Sequence, residues 1–297
     1  MTKEQKEKLS KRYPYNCWDD NGLKVSVITK EDFDESVNFC RKCELLGMSK
    51  SDIADAWVSL RKTQGISDMW SYKCMTSAED IVAMPKAWMS APDLRDNLDK
   101  LQVPCFVDVI YSSFGGVKAP KEINLSIWND RLMDLSGIFQ NGYSETLRLK
   151  LSSNRLKSIN MFLYSGAIYK NVDLSKVNAP NVTDLSNLIS NCNTLTQLRL
   201  PNHLGDIKSI YKIVSGCRGL EYLDLSMLHG TLDVAESAFD GCAKLKYVDM
   251  RNLIFTESTS VKLMFVNTLI KEVLINKESY PALCKAVPSN RLHVVQD

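Results

Sequence analysis

Three cysteines recur at a constant interval in the second half of the chain. Cys192, Cys217 and Cys242 lie 25 residues apart, in the segments NCNTLTQLRL, GCRGLEYLDL and GCAKLKYVDM. Thiols can act as nucleophiles, as metal ligands or as small apolar side chains in a core. A tetrahedral metal site needs ligands that converge on one point, whereas single thiols at a regular spacing, with no histidine beside them, form a row. The spacing therefore predicts three buried structural thiols.

A second thiol pair, Cys40 and Cys43, has the C-x2-C spacing of half a zinc site. The nearest further cysteines, Cys17 and Cys74, are single and distant in sequence. Cys40 also falls on the apolar face of a predicted helix, beside Val37. We therefore predict a structural pair, with zinc ligation as the alternative.

The sequence contains no catalytic or nucleotide-binding spacing. The patterns G-x-S-x-G, H-E-x-x-H and G-x-x-x-x-G-K and the dinucleotide fingerprint are missing. The three histidines lie in separate segments, with His203 and His229 just after predicted strands and His293 on the last one. We therefore predict a protein that is not an enzyme and that uses no cofactor or metal.

Composition and charge are those of a globular protein without a strongly charged domain. Hydrophobic residues make up 44% of the 297 residues, charged residues 24%, and the net charge is +2. This balance argues against a basic nucleic-acid-binding domain. The segment MTKEQKEKLSKRYPYN lacks the apolar core of a signal peptide, and no apolar run approaches the ~18 residues of a membrane span. We expect no membrane span, no secretion by a signal peptide, and a cytoplasmic location, or a virion if a phage encodes the protein.

The elements that position the cysteines form an internal repeat. Apolar residues follow each cysteine after three, six and eight positions, and Asn267 begins a further unit with the same pattern. Weaker copies precede Cys192, back to the pairs Leu147–Leu149 and Ile123–Leu125. A period of 24 to 26 residues over seven units is typical of a solenoid.

Each unit ends in an L-x-L pair, which places two side chains on one face of a short strand. One strand cannot bury that face alone, so stacked units share a core to which each aliphatic side chain contributes ~1.5–3 kcal/mol. The pattern predicts a parallel sheet of about seven strands. Connecting segments such as DVAESAFD and KSIYKIVS have apolar residues near helical spacing, which predicts short helices or 3₁₀ turns on the convex side.

The units resemble those of the BspA-like leucine-rich repeat family, whose pattern is A-F-x-x-C-x-x-L-x-x-I-x-L. The segment ESAFDGCAKLKYVDM is similar to this pattern, as are NLISNCNTLTQLRLP and YKIVSGCRGLEYLDLS, and the resemblance covers about residues 120–276. It implies an α/β fold, namely a leucine-rich repeat solenoid. Because the family includes bacterial surface adhesins, it also implies a role in binding or adhesion.

The front of the chain does not repeat. We predict a helical N-terminal domain at residues 1–102 and the solenoid with its terminal caps at residues 103–297. One predicted helix, TKEDFDESVNFCRKCELLG, ends at Gly47, and the next, SKSDIADAWVSLRKTQG, is capped by Ser49 with Asp52. A third is predicted in APDLRDNLDKL, and VPCFVDVIYSS is predicted to be a strand that seals the first repeat.

Outward-facing side chains on the strands are the candidate binding residues of the concave face. They are Arg148, Asp173, Arg199, Tyr222, Asp224, Tyr247 and Asp249. The charged residues from Arg148 to Asp224 alternate in sign and could pair from strand to strand, whereas Tyr222 and Tyr247 with the neighbouring acids could form a contact patch. We predict a non-enzymatic interaction or assembly module that binds a protein or glycan. A homo-oligomer and a virion or other particle assembled in the cytosol are the settings that we consider.

The helical pair at residues 31–63 raises a DNA-binding regulator as the alternative function, because it resembles a helix-turn-helix. Its second helix carries Asp52 and Asp55 where phosphates and base edges would lie, which predicts that it does not bind nucleic acid.

At the other end of the chain, the unit NKESYPALCKAVPSNRLHVVQD is shortened. Either its short helix caps the solenoid, or a partner such as a second copy adds to the strand edge at Leu292–Val295.

Overall fold

The computed structural model shows a parallel β-solenoid of about six turns with few helices. It describes residues 24–25, 30–63, 66–67, 73–74, 82–85, 109–111, 122–127, 129–141, 144–165 and 168–295. The repeat found in the sequence therefore corresponds to a stack of backbone turns. The third predicted helix, in APDLRDNLDKL, lies outside the described residues.

Two helices precede the solenoid, at the positions that their capping residues predict. They are α1 (Lys30–Leu45) and α2 (Lys50–Thr63). After α1, the N–H of Gly47 donates to the carbonyl of Glu44 and the N–H of Met48 to that of Cys43, with Gly47 at a φ of +70°, which is a Schellman termination. At the start of α2, Ser49 and Asp52 form the predicted capping pair, with the Asp52 N–H 3.2 Å from Ser49 Oγ.

Both helices contribute to the hydrophobic core. Cys40 and Cys43 on α1 are buried, as are Ile53 and Trp57 on α2, and all four belong to the same cluster as the solenoid side chains. The prediction that Cys40 lies on an apolar helix face is therefore confirmed.

Short strands also occur in this part of the chain. They are β1 (Lys24–Val25), β2 (Ile66–Ser67), β3 (Lys73–Cys74), β4 (Val82–Pro85) and β5 (Val109–Tyr111).

The strand β5 was expected to seal the first repeat, since it lies within VPCFVDVIYSS. Among the described residues, β5 pairs in parallel with β4, and the first solenoid strand pairs with the second. The remaining strands all belong to the solenoid. They are β6 (Glu122–Ile127), β7 (Thr146–Ser152), β8 (Leu163–Tyr164), β9 (Asn171–Ala179), β10 (Ile189–Ser190), β11 (Gln197–Arg199), β12 (His203–Leu204), β13 (Tyr222–Asp224), β14 (Gly230–Val234), β15 (Tyr247–Asp249), β16 (Leu253–Ser260), β17 (Glu272–Ile275) and β18 (Leu292–Val294).

The L-x-L pairs form the strands of the predicted parallel ladder, but the ladder is divided. The strands β6, β7, β9 and β11 pair in sequence, and β13, β15, β17 and β18 pair in a second sheet, with no ladder between β11 and β13 in the described chain. Inward side chains such as Leu223 and Leu225 are buried, because alternation turns them toward the core. We call the side of the molecule formed by these two sheets the strand side.

Opposite the strand side, the chain forms tandem turns. In residues 210–216, alternate N–H groups donate to carbonyls of the next turn of the solenoid, from Ile210 to Val234 at 2.9 Å through Gly216 to Asp240 at 2.7 Å. The same four bonds form in residues 135–141, 185–191 and 235–241, and residues 159–165 form the last two of them, from Leu163 and Ser165. We call these stretches corner segments: residues 135–141, 159–165, 185–191, 210–216, 235–241 and 261–267.

For KSIYKIVS and DVAESAFD, of the two predicted alternatives, short helices or 3₁₀ turns, the helix is wrong, whereas bonds such as Ile213 N–H to Ile210 O at 3.1 Å have the i→i−3 spacing of 3₁₀ turns. Each corner segment holds left-handed residues, such as Lys212 at a φ of +51° and Gly216 at +76°. Left-handed residues interrupt a right-handed helix, and here the alternate N–H groups bond to the next turn instead of within the segment. Helical spacing of apolar residues was therefore misleading, because the same spacing also directs side chains from a tight corner into the core.

The last turn of the solenoid is shorter than the others. Val248 pairs with Val273, 25 residues later, whereas Val273 pairs with Leu292, only 19 residues later. In place of a full turn the chain forms α3 (Tyr280–Leu283), which contacts β16 and buries Leu283. The short predicted helix therefore exists and packs on the solenoid, and β18 extends the sheet as predicted.

Candidate binding surface on the strand side

The predicted tyrosine residues lie side by side on the strand side. Tyr222 pairs in register with Tyr247, and Asp224 with Asp249, on adjacent parallel strands. Such strands lie ~4.8 Å apart, so the two rings are close neighbours. Tyr222 is 55% exposed and Tyr247 is 39% exposed. Each tyrosine is two residues before an aspartate on the same strand, so tyrosines and aspartates share one face.

An ion pair between a buried aspartate and a partly exposed arginine lies beside the two tyrosines. Asp249 is buried, and Arg251 donates to it through Nε at 3.0 Å and Nη2 at 2.6 Å. Arg251 is not among the binding residues predicted from the sequence, yet it forms the ion pair with Asp249. The sequence does contain a sign of this ion pair. The residue two positions after the strand aspartate is a serine in two other turns, Ser175 and Ser226, but an arginine, Arg251, after Asp249. We call Tyr222, Asp224, Tyr247, Asp249 and Arg251 the tyrosine patch.

The tyrosine hydroxyls are available to a ligand. Partial burial, together with the charges of Asp224 and Asp249, raises the pKa of Tyr222, and Arg251 acts in the opposite direction. The hydroxyl therefore stays protonated and can donate to an acceptor. No described residue forms a hydrogen bond with the hydroxyl of Tyr222 or of Tyr247. An exposed ring with a free hydroxyl offers apolar contact and one polar interaction to a partner.

An exposed ion pair flanks the patch where the chain enters β13 and β15. Lys246 Nζ lies 2.8 Å from Glu221 Oε2. A hydrogen bond and the charge of Lys246 lower the pKa of Glu221, and the reciprocal effects raise the pKa of Lys246. The pair links adjacent turns directly beside the two tyrosines. It therefore restricts the relative movement of the strands that carry them.

The other predicted residues lie on the first of the two sheets and only partly form the expected charge ladder. Arg199 Nη1 is 3.6 Å from Asp173 Oδ2. Arg148, in contrast, bonds back to Glu122 at 3.4 Å and to Asn124 at 3.1 Å. The ladder of strands is interrupted after β11, and Arg199 forms no ion pair with Asp224 in the described chain. These exposed pairs are worth at most ~1 kcal/mol each.

The strand aspartates also have a local structural role. Asp173 Oδ1 accepts the N–H of Ser175 at 2.9 Å, and Asp224 Oδ1 accepts the N–H of Ser226 at 2.8 Å. Asp224 thus stabilises the turn that follows β13, whereas the Asp173 bond lies within β9, where its register with β7 shifts. The carboxylates at these positions therefore serve the fold as well as the surface, which leaves the tyrosines as the side chains of the patch without such a role.

The cysteine row is buried, as its spacing predicted. Cys192, Cys217 and Cys242 are all 0% exposed. Each thiol points to a carbonyl in the preceding turn, with Cys217 Sγ 3.4 Å from Ile189 O and Cys242 Sγ 3.0 Å from Val214 O. Burial raises the pKa of Cys217 and of Cys242, which keeps these thiols protonated and unreactive. Within the described residues, no group of three or more histidine, cysteine or acidic side chains is placed to hold a metal ion.

The histidines also remain apart. His203 lies on the two-residue strand β12 and not in a loop, and His293 lies on β18 as predicted. His229 Nε2 is 3.4 Å from Asp206 Oδ1, and both side chains are exposed. No two of the three histidines share a contact among the described residues.

A separate cavity of about 650 Å³ lies between α1 and the ends of the first strands. Val37, Cys40 and Leu151 give it apolar walls. Lys150 and Lys176, which are register partners on β7 and β9, give it positive charge. It lies on a different part of the molecule from the tyrosine patch, because its strands belong to the first sheet.

We compared the chain with known protein families, curated proteins and solved structures. No protein-family model, no curated protein and no solved structure matches the chain. In the part of the chain that the structure describes, no helix has the length and apolar character needed to cross a bilayer.

Proposed function

We propose that the protein is a non-enzymatic interaction module that binds a protein or glycan partner through the tyrosine patch. The observation that carries this proposal is the pair of exposed, in-register tyrosines whose hydroxyls have no partner among the described residues. Tyrosines are enriched in interface hot spots and also stack on sugar rings, because they combine apolar area with a polar end. Beside them, the buried carboxylate of Asp249 is held by the partly exposed Arg251.

The resemblance to BspA-like leucine-rich repeats supports the same proposal. Repeat units in such solenoids present side chains at a constant spacing on an extended surface, which suits a partner with its own repeated groups. A leucine-rich repeat module within a particle assembled in the cytosol, such as a virion, is the setting that we propose for it.

The test is binding of a glycan array and of cross-linked partner proteins by the wild-type chain and by the double variant Tyr222→Ala, Tyr247→Ala. Loss of two central aromatic contacts should weaken binding at least about thirtyfold, since interface hot spots are worth ~2 kcal/mol or more. Tyr280→Ala is the matched control, because Tyr280 is 37% exposed and lies outside the patch. Partner binding that the double variant retains in full would refute the proposal.

A gel-shift assay with mixed duplex DNA distinguishes the alternative function, a DNA-binding regulator that uses residues 31–63. Tight binding that weakens steeply with salt would favour the regulator. We expect no such binding, because α2 directs Ile53, Ala54 and Trp57 into the core cluster and carries Asp52 and Asp55 among its exposed residues.

A further inference from the structure

The corner segments form a hydrogen-bond ladder that ends abruptly at the C-terminal end of the solenoid. In residues 235–241, the N–H groups of alternate residues donate to carbonyls of the next turn, for example Ser237 to Lys262 at 2.8 Å and Gly241 to Val266 at 3.0 Å. The next corner segment, residues 261–267, has the same left-handed residues, Leu263 at a φ of +56° and Asn267 at +55°. It is therefore built to donate in the same way.

No acceptor reaches the donors of that last corner segment. The equivalent N–H groups are those of Val261, Leu263, Phe265 and Asn267, and none has a hydrogen bond within the described chain. The cause is the short final turn, which is six residues shorter than the one before, going from 25 residues to 19. The strand and α3 are present in that final turn, but the corner is missing. Four parallel backbone donors are left facing outward.

A cavity of about 500 Å³ lies where the missing corner would be. We call it the corner notch. Apolar side chains are exposed here: Leu263 is 62% exposed, Val266 is 40% exposed and the adjoining Leu269 is 58% exposed. A leucine in the left-handed conformation is also disfavoured by ~1–2 kcal/mol, since its Cβ approaches the following carbonyl. Every corner segment has a left-handed residue at this position, and in the last one it is an exposed leucine that offers apolar contact area to a partner.

The charge of the corner notch limits its partner. Lys262 and Lys285 line it, the lining contains no acidic residue, and neither lysine forms an ion pair with another described residue. A suitable segment would therefore combine acidic and apolar side chains. The chain itself contains such a segment: residues 234–240, VAESAFD, whose carbonyls accept all four donors of the corner that contains Lys212.

We propose that the corner notch binds a segment of about seven residues from a partner protein, acidic and apolar in composition, which adopts the corner conformation and accepts the four free N–H groups. The length of seven residues follows from the spacing of the four N–H groups. Their four acceptor carbonyls must lie on alternate residues of the partner segment, and four alternate residues span seven positions. Beside the notch, β18 pairs with β17 and α3 contacts β16, so the strand and the helix of the last turn are present and only the corner is left open.

The probe is a synthetic peptide of residues 233–241, DVAESAFDG, with blocked termini, titrated into isotope-labelled full-length protein. We expect saturable shifts of the amide resonances of Val261, Leu263, Phe265 and Asn267, and smaller shifts elsewhere. A peptide in which the acidic residues are replaced by their amides should bind several-fold more weakly. The double variant Lys262→Glu, Lys285→Glu should bind the original peptide about tenfold more weakly, because two attractive exposed pairs become repulsive.

Variants separate binding from folding. Leu263→Asn removes the exposed apolar side chain but tolerates the left-handed conformation, so it should fold normally and bind the peptide more weakly. The far-ultraviolet circular dichroism and melting temperature of each variant establish that it is folded.

Three results would overturn the proposal. The four amides could show no shift up to the solubility limit of the peptide, or they could respond equally to the amidated peptide. Sedimentation could instead show self-association of the full-length protein that Leu263→Asn abolishes, which would make a second copy the occupant.

Discussion

Cys217→Ser is a sharp test of the buried thiol row. The side chain has no exposed surface, so a serine hydroxyl there must leave water, at a cost of ~1–3 kcal/mol. A hydrogen bond from the serine hydroxyl to the carbonyl of Ile189 could offset part of this cost. The carbonyl oxygen lies 3.4 Å from the cysteine sulfur, and it would lie farther from a serine oxygen because the C–O bond is shorter than the C–S bond. We therefore expect a loss of ~1–2 kcal/mol in the free energy of unfolding. Cys217→Ala removes one heavy atom without adding a polar group and should cost ~1 kcal/mol or less.

Equilibrium urea unfolding of the two variants and the wild type measures these differences. The midpoint should fall in the order wild type, alanine, serine, with the slope unchanged, because the surface exposed on unfolding hardly differs. Cys284→Ser is the matched control: Cys284 is an exposed free thiol, so its variant should stay within ~0.5 kcal/mol of the wild type.

Thiol labelling with peptide mapping gives an independent measurement on the unmodified protein. Cys284 should react in the native state, whereas Cys192, Cys217 and Cys242 should react only on unfolding, since the thiolate is the reactive form and burial disfavours it. If the row labels as fast as Cys284, or if serine is tolerated as well as alanine at position 217, the thiols are not in a water-free core and the reasoning fails.

Further substitutions test the caps, the corners and the surface charges. Ser49→Ala should lower the stability of the protein by ~1 kcal/mol through loss of the N-cap of α2, and an unchanged urea midpoint would contradict this. Gly230→Ala should cost more than ~2 kcal/mol, seen as a lower calorimetric melting temperature, because φ is +132° and a Cβ would lie 2.5 Å from the Ile207 nitrogen. Because Lys246 lowers the pKa of Glu221, their stabilising contribution is complete at neutral pH and is lost as pH falls through the folded-state pKa of Glu221. Lys246→Met should therefore flatten the acid limb of the urea midpoint between about pH 3 and 6, and an unchanged pH profile would show that the pair is not formed in solution.

The sequence by itself determined the repeat and its buried positions. Apolar residues such as Leu220, Leu223 and Leu225 recur at fixed distances from Cys217, and all are buried. Alternation along a strand fixes which side chains share a face, so the inward row can be read from one chain. The ends of α1 and α2 were equally readable, because caps are local interactions among neighbouring residues. Each of these inferences uses information that lies within one unit or one turn.

The tertiary structure alone decided how the corners are built. Left-handed residues occur at Lys212 and Ser237, which have no strong preference for that conformation. They adopt it because the neighbouring turn supplies carbonyls for their N–H groups, and that partner is more than twenty residues away in sequence. Apolar spacing could not reveal this hydrogen bonding, and it suggested helices instead.

The same reason accounts for the surface features that the sequence did not show. Arg251 reaches a buried aspartate two residues before it, and this pairing depends on how the turn after β15 folds. The corner notch depends on an absence: the sequence showed that the final unit is short, but not which part of the turn was missing. The final unit contains a strand and a helix but no corner. The strand β18 covers Val273 and Ile275 on β17 and so completes the core. The N–H groups of the last corner can be solvated by water instead.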